Sequence, residues 1–189
     1  MAQDSPTANE ARAPEEAPRV PVLIISGPVG VGKTSVAHEM FDQLIDRNIA
    51  HAVIDIDALG ISWPFGENDP FNNRVAMRNL GAVWTNFAAS GVTRAILPRV
   101  IESQADLAPY KTAIPGADIQ VCRLTATINT LRERVTRRES GSSQDELIRR
   151  SAQLAETLEQ SAPTNFTVRT DNRPLPAIAH EALAKAGWI

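Results

Sequence analysis

The chain has 189 residues, a net charge of −3 and a pI near 5.6. That length suits one compact domain, and the acidic balance argues against a surface built for nucleic acid or an anionic membrane. The one cysteine, Cys122, excludes an intramolecular disulfide, and no apolar run approaches the ~20 residues of a membrane span.

Residues 1–19 are rich in Ala, Pro and Glu and lack the basic and apolar regions of a signal peptide. They read as a disordered tail on a cytoplasmic protein whose single domain spans 20–189. Val22 to Ser26 reads as a buried strand. It runs into Gly27-Pro28-Val29-Gly30-Val31-Gly32-Lys33-Thr34, which fits G-x-x-x-x-G-K-[ST], and Ser35 to Arg47 reads as the helix that leaves it. The glycines let successive N–H groups turn into one concavity, and the helix N-terminus adds positive potential, so the segment suits phosphate. Lys33 would neutralise the β- and γ-phosphates of ATP, and the Thr34 hydroxyl would ligate Mg²⁺. Residues 27–35 are therefore candidate nucleotide contacts, Ser35 included.

His51 to Asp55 reads as a second strand that ends in an acid. Asp55 and Asp57, two apart in an extended segment, would face one side. A carboxylate there can take the proton of an attacking hydroxyl or orient metal-bound water. Asp57 is the stronger candidate for the hydroxyl, and a helix-capping or solvated pair is the alternative. Asp57 to Asn73 reads as irregular, and Trp63, Phe65, Phe71 and, further on, Trp84 could wall a pocket, although aromatics at such spacing are more often core. Asn72 to Ser90 has helical spacing. It places Arg74 and Arg78 on one face as candidate substrate contacts, together with Arg99 beyond the third strand, Val92 to Leu97. Arg99 to Leu107 reads as a short helix and Asp118 to Leu124 as a fourth strand.

Asn129 to Arg138 reads as a helix carrying Arg134 and Arg138 four residues apart, suited to clamp a transferring phosphoryl group. Ser140 to Ser143 reads as a flexible break, Gln144 to Gln160 as a further helix, Phe166 to Thr170 as the last strand and Pro176 to Ala186 as the closing helix. Alternating strands and helices imply a three-layer α/β/α P-loop NTPase fold: a mostly parallel five-stranded sheet, its ligands beyond the carboxyl ends of the strands, and a helical lid near 129–160.

In these residues the chain resembles the small P-loop kinases of the nucleoside/nucleotide kinase-like group, such as gluconate kinases, shikimate kinases, chloramphenicol phosphotransferase and zeta-type toxin kinases. The last third resembles gluconate kinases, through Leu131-Arg132-Glu133-Arg134-Val135 with Arg137-Arg138, through Ser151-Ala152-Gln153-Leu154, and through Thr170-Asp171-Asn172-Arg173-Pro174-Leu175. The resemblance implies Asp57 as the substrate-binding acid, Arg134 and Arg138 as lid arginines, and Arg173 in the loop that borders adenine. It implies transfer of a phosphoryl group from ATP to the hydroxyl of a small molecule such as a sugar, a nucleoside or an antibiotic-like acceptor. Ser62 to Asn73 and Arg94 to Glu102 match no subfamily, so the acceptor is open, as is the choice between monomer and dimer. The alternative reading is a nucleotide-dependent switch or regulatory ATPase, although the Asn-Lys-x-Asp guanine motif of GTPases is absent.

Overall fold

The structure is a computed structural model that describes residues 19–138 and 142–189. Its centre is a sheet of β1 (Val20–Ser26), β2 (Ala52–Val53), β3 (Ala95–Pro98), β4 (Ala117–Thr125) and β5 (Phe166–Arg169), in the order β2-β3-β1-β4-β5. Every strand pair is parallel, so the expected mostly parallel sheet is entirely so. Parallel strands are covered on both faces, which is why β1 reads Val22-Leu23-Ile24-Ile25 without alternation. All four side chains are buried.

Among the described residues seven helices cover the sheet: α1 (Lys33–Ile45), α2 (Ile56–Leu59), α3 (Asn73–Ala89), α4 (Ala108–Ala113), α5 (Ile128–Arg138), α6 (Ser142–Ser161) and α7 (Leu175–Lys185). On one face, Val36, Met40 and Leu44 of α1 pack with Ile178, Ala179 and Leu183 of α7 over Leu23, Ile25 and Leu124. On the other, Ala76, Leu80 and Trp84 of α3 and Tyr110 of α4 pack over Val22, Ile24 and Leu97. Trp84 is thus core, whereas Trp63, Phe65 and Phe71 are exposed.

Two elements differ from the sequence expectation. The second strand stops at Val53, because Asp55 leaves the sheet to cap α2 and its carboxylate accepts from the Asp57 amide at 3.0 Å. Asp57 is therefore helical rather than extended. The helix expected over Arg99–Leu107 is a single 3-10 turn, Gln104–Leu107, followed by α4 with Pro109 in its first turn. The break at Ser140 to Ser143 falls largely outside the described residues, as does the tail expected over 1–19.

Candidate active site

The phosphate loop joins β1 to α1. Gly27, Gly30 and Gly32 all have positive φ, at 140°, 81° and 101°. At two of them the surroundings also exclude a side chain. A Cβ on Gly27 would lie 2.6 Å from the Leu124 carbonyl oxygen, and one on Gly30 would lie 2.9 Å from Val135 Cγ2. The loop is pressed between β4 and α5, and only glycine fits there.

Lys33 curls back over the loop, its Nζ donating to the Gly27 and Pro28 carbonyls at 3.0 and 3.1 Å. Burial pulls its pKa down to about 8, helped by the positive charges of Arg138 and Arg99 and opposed by the carboxylates of Asp57 and Asp55. Thr34 Oγ1 donates to Asp55 Oδ2 at 3.4 Å. Asp55 thus divides its two oxygens, one capping α2 and the other facing Thr34. Hard oxygens of a hydroxyl and a carboxylate beside a phosphate loop fit Mg²⁺. Among the described residues no group of three or more His, Cys, Asp or Glu side chains forms a metal cage.

Two cavities meet at this loop. The smaller, about 290 Å³, is lined by Gly30, Val31, Gly32 and Ser35 from the loop and α1, by Arg134 and Arg138 from α5, and by Thr170, Arg173 and Leu175 after β5. The larger, about 1150 Å³, begins at Val29 and has Asp57 and Arg99 among its walls. Neighbouring residues Val29 and Gly30 thus face different cavities. Arg99 and Asp57 are ion-paired. The Arg99 amide donates to the Ile25 carbonyl at 3.1 Å, which fixes the arginine at the carboxyl end of β1.

The expected site residues divide as follows. Lys33, Thr34, Asp55, Asp57 and Arg99 come together at the loop. Arg134 and Arg138 reach the smaller cavity, and Arg173 borders it while pairing with Glu181 at 2.6 Å. Arg74 and Arg78 line neither cavity. The Arg74 guanidinium turns to the Glu67 carbonyl and to Asp69, and Arg78 lies on the exposed face of α3. The helical phase that aligns them turns both away from the cleft.

Arg134 braces the loop, donating to the Val31 carbonyl at 3.1 Å, the Thr170 hydroxyl at 2.9 Å and the Thr170 carbonyl at 3.0 Å. Leu131 and Val135 of the same helix are fully in the core, so α5 is packed against it. Two further residues escaped the sequence reading. Ser151 of α6, 1% exposed, donates to the Val29 carbonyl at 2.6 Å. Asp171 accepts from the Thr127 amide at 2.8 Å and from Arg169 at 3.0 Å. Burial works against the Asp171 charge, but these donors, led by the Thr127 amide, hold its carboxyl far below the usual range. Asp171 thereby ties the start of α5 to the loop after β5.

Neither a family model nor a curated protein sequence matches the chain. Solved structures do. A tunicamycin resistance protein from Deinococcus radiodurans is 21% identical over 90% of this chain and 98% of its own, with a TM-score of 0.64. A gluconokinase from Sinorhizobium meliloti 1021 is 20% identical over 90% and 94%, at 0.58. An APS kinase from Mycobacterium tuberculosis is 18% identical over 90% and 99%, at 0.56. The chain has the fold of the P-loop kinases of the nucleotide kinase-like group. Among the described residues no helix is long and apolar enough to cross a membrane.

Proposed function

We propose that this protein is an ATP-dependent phosphotransferase that moves the γ-phosphoryl group of ATP to a hydroxyl of a small molecule. One observation carries the reading: the phosphate loop separates two cavities, with Lys33, Thr34 and Asp55 at the junction and Asp57 just across it. A switch protein has no need of a second, larger cavity opening on the same loop.

The smaller cavity takes the nucleotide, with Arg173 and Thr170 at its adenosine end. The loop amides and Lys33 hold the phosphates, and Lys33 exchanges the Gly27 and Pro28 carbonyls for phosphate oxygens. Thr34, with Asp55 behind it, would hold a Mg²⁺ ion, whose charge would neutralise and orient those oxygens. Asp57 accepts the acceptor's hydroxyl proton as that oxygen bonds to the γ-phosphorus and the bond to the β-phosphate oxygen breaks. Arg99 holds the Asp57 carboxylate in place. Arg138 supplies positive charge where the transferring oxygens gather it. The likeness to kinases of the same fold supports the reaction class.

The test is an acceptor screen with ATP consumption as the readout, across sugars, nucleosides and aminocyclitol or phenolic antibiotics. Acceptor-dependent ADP release supports the reading. Slow hydrolysis that no acceptor accelerates would mark a switch or regulatory ATPase instead.

A further inference from the structure

The larger cavity has a chemistry of its own. At about 1150 Å³ it exceeds the roughly 300–1,000 Å³ of most small-molecule pockets and is far more than a single sugar fills. Its outer wall is the segment between α2 and α3, which turns large apolar side chains towards the opening: Ile61 is 84% exposed, Trp63 81% and Phe71 74%. Exposed apolar groups that cluster on a concave surface mark a binding site. The segment is also built to hold them there. The buried Asn72 donates to the Gly60 and Ser62 carbonyls at 3.2 and 2.9 Å and accepts from the Gly66 amide at 3.0 Å. Asp69, also buried, caps α3 through the Asn73 and Arg74 amides at 2.8 and 2.9 Å. The aromatic wall is thus presented on a preorganised frame.

The charged lining points the same way. Three carboxylates, Asp57, Glu102 and Asp106, stand against two guanidiniums, Arg99 and Arg150. Both cations are already paired, Arg99 with Asp57 and Arg150 with Glu102. An anionic acceptor would have to break one of those pairs and approach a lining with an excess of negative charge. A neutral hydroxyl compound meets neither obstacle.

We infer that the acceptor is an uncharged amphiphile: a hydroxyl-bearing head seated at Asp57, and an apolar chain laid along Ile61, Trp63 and Phe71. The inference rests on the proposed kinase reading and narrows its acceptor. The apolar wall is continuous with the floor that holds Asp57, which favours a ligand of this site over a second copy of the chain.

Calorimetry and tryptophan fluorescence with defined probes test it. Trp63 is exposed whereas Trp84 and Trp188 are buried, so a blue shift of emission that Trp63→Phe abolishes locates the ligand on this wall. The probes are methyl, hexyl and octyl β-glucoside, below micelle-forming concentration, and octyl β-glucuronide, which differs from the octyl glucoside by a carboxylate. Affinity is expected to rise with chain length, by up to about fourfold for each methylene fully buried. The glucuronide should bind at least about tenfold more weakly than its neutral twin, as expected for a charge set against a lining whose described cations, Arg99 and Arg150, are both paired. Phe71→Ala should flatten the chain-length dependence.

Equal or tighter binding of the glucuronide, or affinity independent of chain length, overturns the inference even if the acceptor screen finds a kinase. Chain-length-dependent binding at Trp63 without turnover of any acceptor upholds the site's preference and counts against the kinase reading instead. A stable dimer that Phe71→Ala dissociates would assign the wall to a second copy and also overturn the inference.

Discussion

The Ser151 hydroxyl of α6 donates to the carbonyl of Val29, at the tip of the phosphate loop, over 2.6 Å. The helix expected to form part of a lid is thereby fastened to the segment it would cover. Leu154 and Leu158 bury beside it, and Arg150 on the same helix reaches Glu102 across the larger cavity. The contact joins α6 to the phosphate loop on the side that faces the larger cavity.

Ser151→Ala should release that fastening. The lost hydrogen bond costs about 1 kcal/mol, and the Val29 carbonyl is left to find another donor. Amide exchange in α6 should quicken, with little change in β1 or β4. If exchange in α6 matches the wild type, the helix is held by Leu154 and Leu158 alone and the serine is not a latch.

Arg134 and Arg138 should separate in their effects. Arg134 makes three hydrogen bonds to Val31 and Thr170, so Arg134→Ala should lower the melting temperature and weaken nucleotide binding. Arg138→Ala should leave the fold intact and lower kcat more than it weakens ATP binding, because its contact strengthens as charge develops. Equal thermal stability in the two variants would show that the brace is not needed.

The strands and the phosphate loop were legible because each rests on a local rule: an unbroken apolar run for a strand buried on both faces, and glycines at fixed spacing for the loop. Other features depend on partners distant in the chain. No local pattern shows that Trp63 faces the cavity opening, since that depends on Asn72 gathering the carbonyls of Gly60 and Ser62. Ser151 is one polar residue on an amphipathic helix, and its value lies in Val29, 122 residues away. Arg74 and Arg78 share a helix face, but periodicity alone does not say which way that face points.

Asp57 and Asp55 give a second separation. Asp57→Asn keeps the size of the side chain but removes the proton acceptor, so kcat should fall on the order of 10²–10⁴-fold with ATP affinity nearly unchanged. Asp55→Asn should raise the Mg²⁺ concentration needed for half-maximal rate, because Asp55 Oδ2 faces the Thr34 hydroxyl. Titrating both variants with Mg²⁺ at saturating ATP decides the assignment. A silent Asp57→Asn with an inactive Asp55→Asn would exchange the two roles.

Lys33 makes stability and nucleotide affinity move in opposite directions with pH. Burial lowers its pKa from 10.5 to about 8 in the folded chain. Between those two values the unfolded chain binds more protons at this site than the folded one, so the lysine's contribution to unfolding free energy rises with pH across that window. Below about pH 8 the charge is present in both states, and the fold bears the full cost of burying it. Nucleotide binding needs that same charge, so ATP affinity should fall as pH climbs past about 8. Lys33→Met should remove the alkaline gain in stability and, having no ammonium at any pH, reduce kcat on the order of 10²-fold or more. Urea melts of both proteins without nucleotide, from pH 7 to pH 10, measure the first effect, and ATP titrations of the wild type over the same range measure the second. Parallel melt profiles for the two proteins would mean that Lys33 is solvated in the free protein rather than buried against the Gly27 and Pro28 carbonyls.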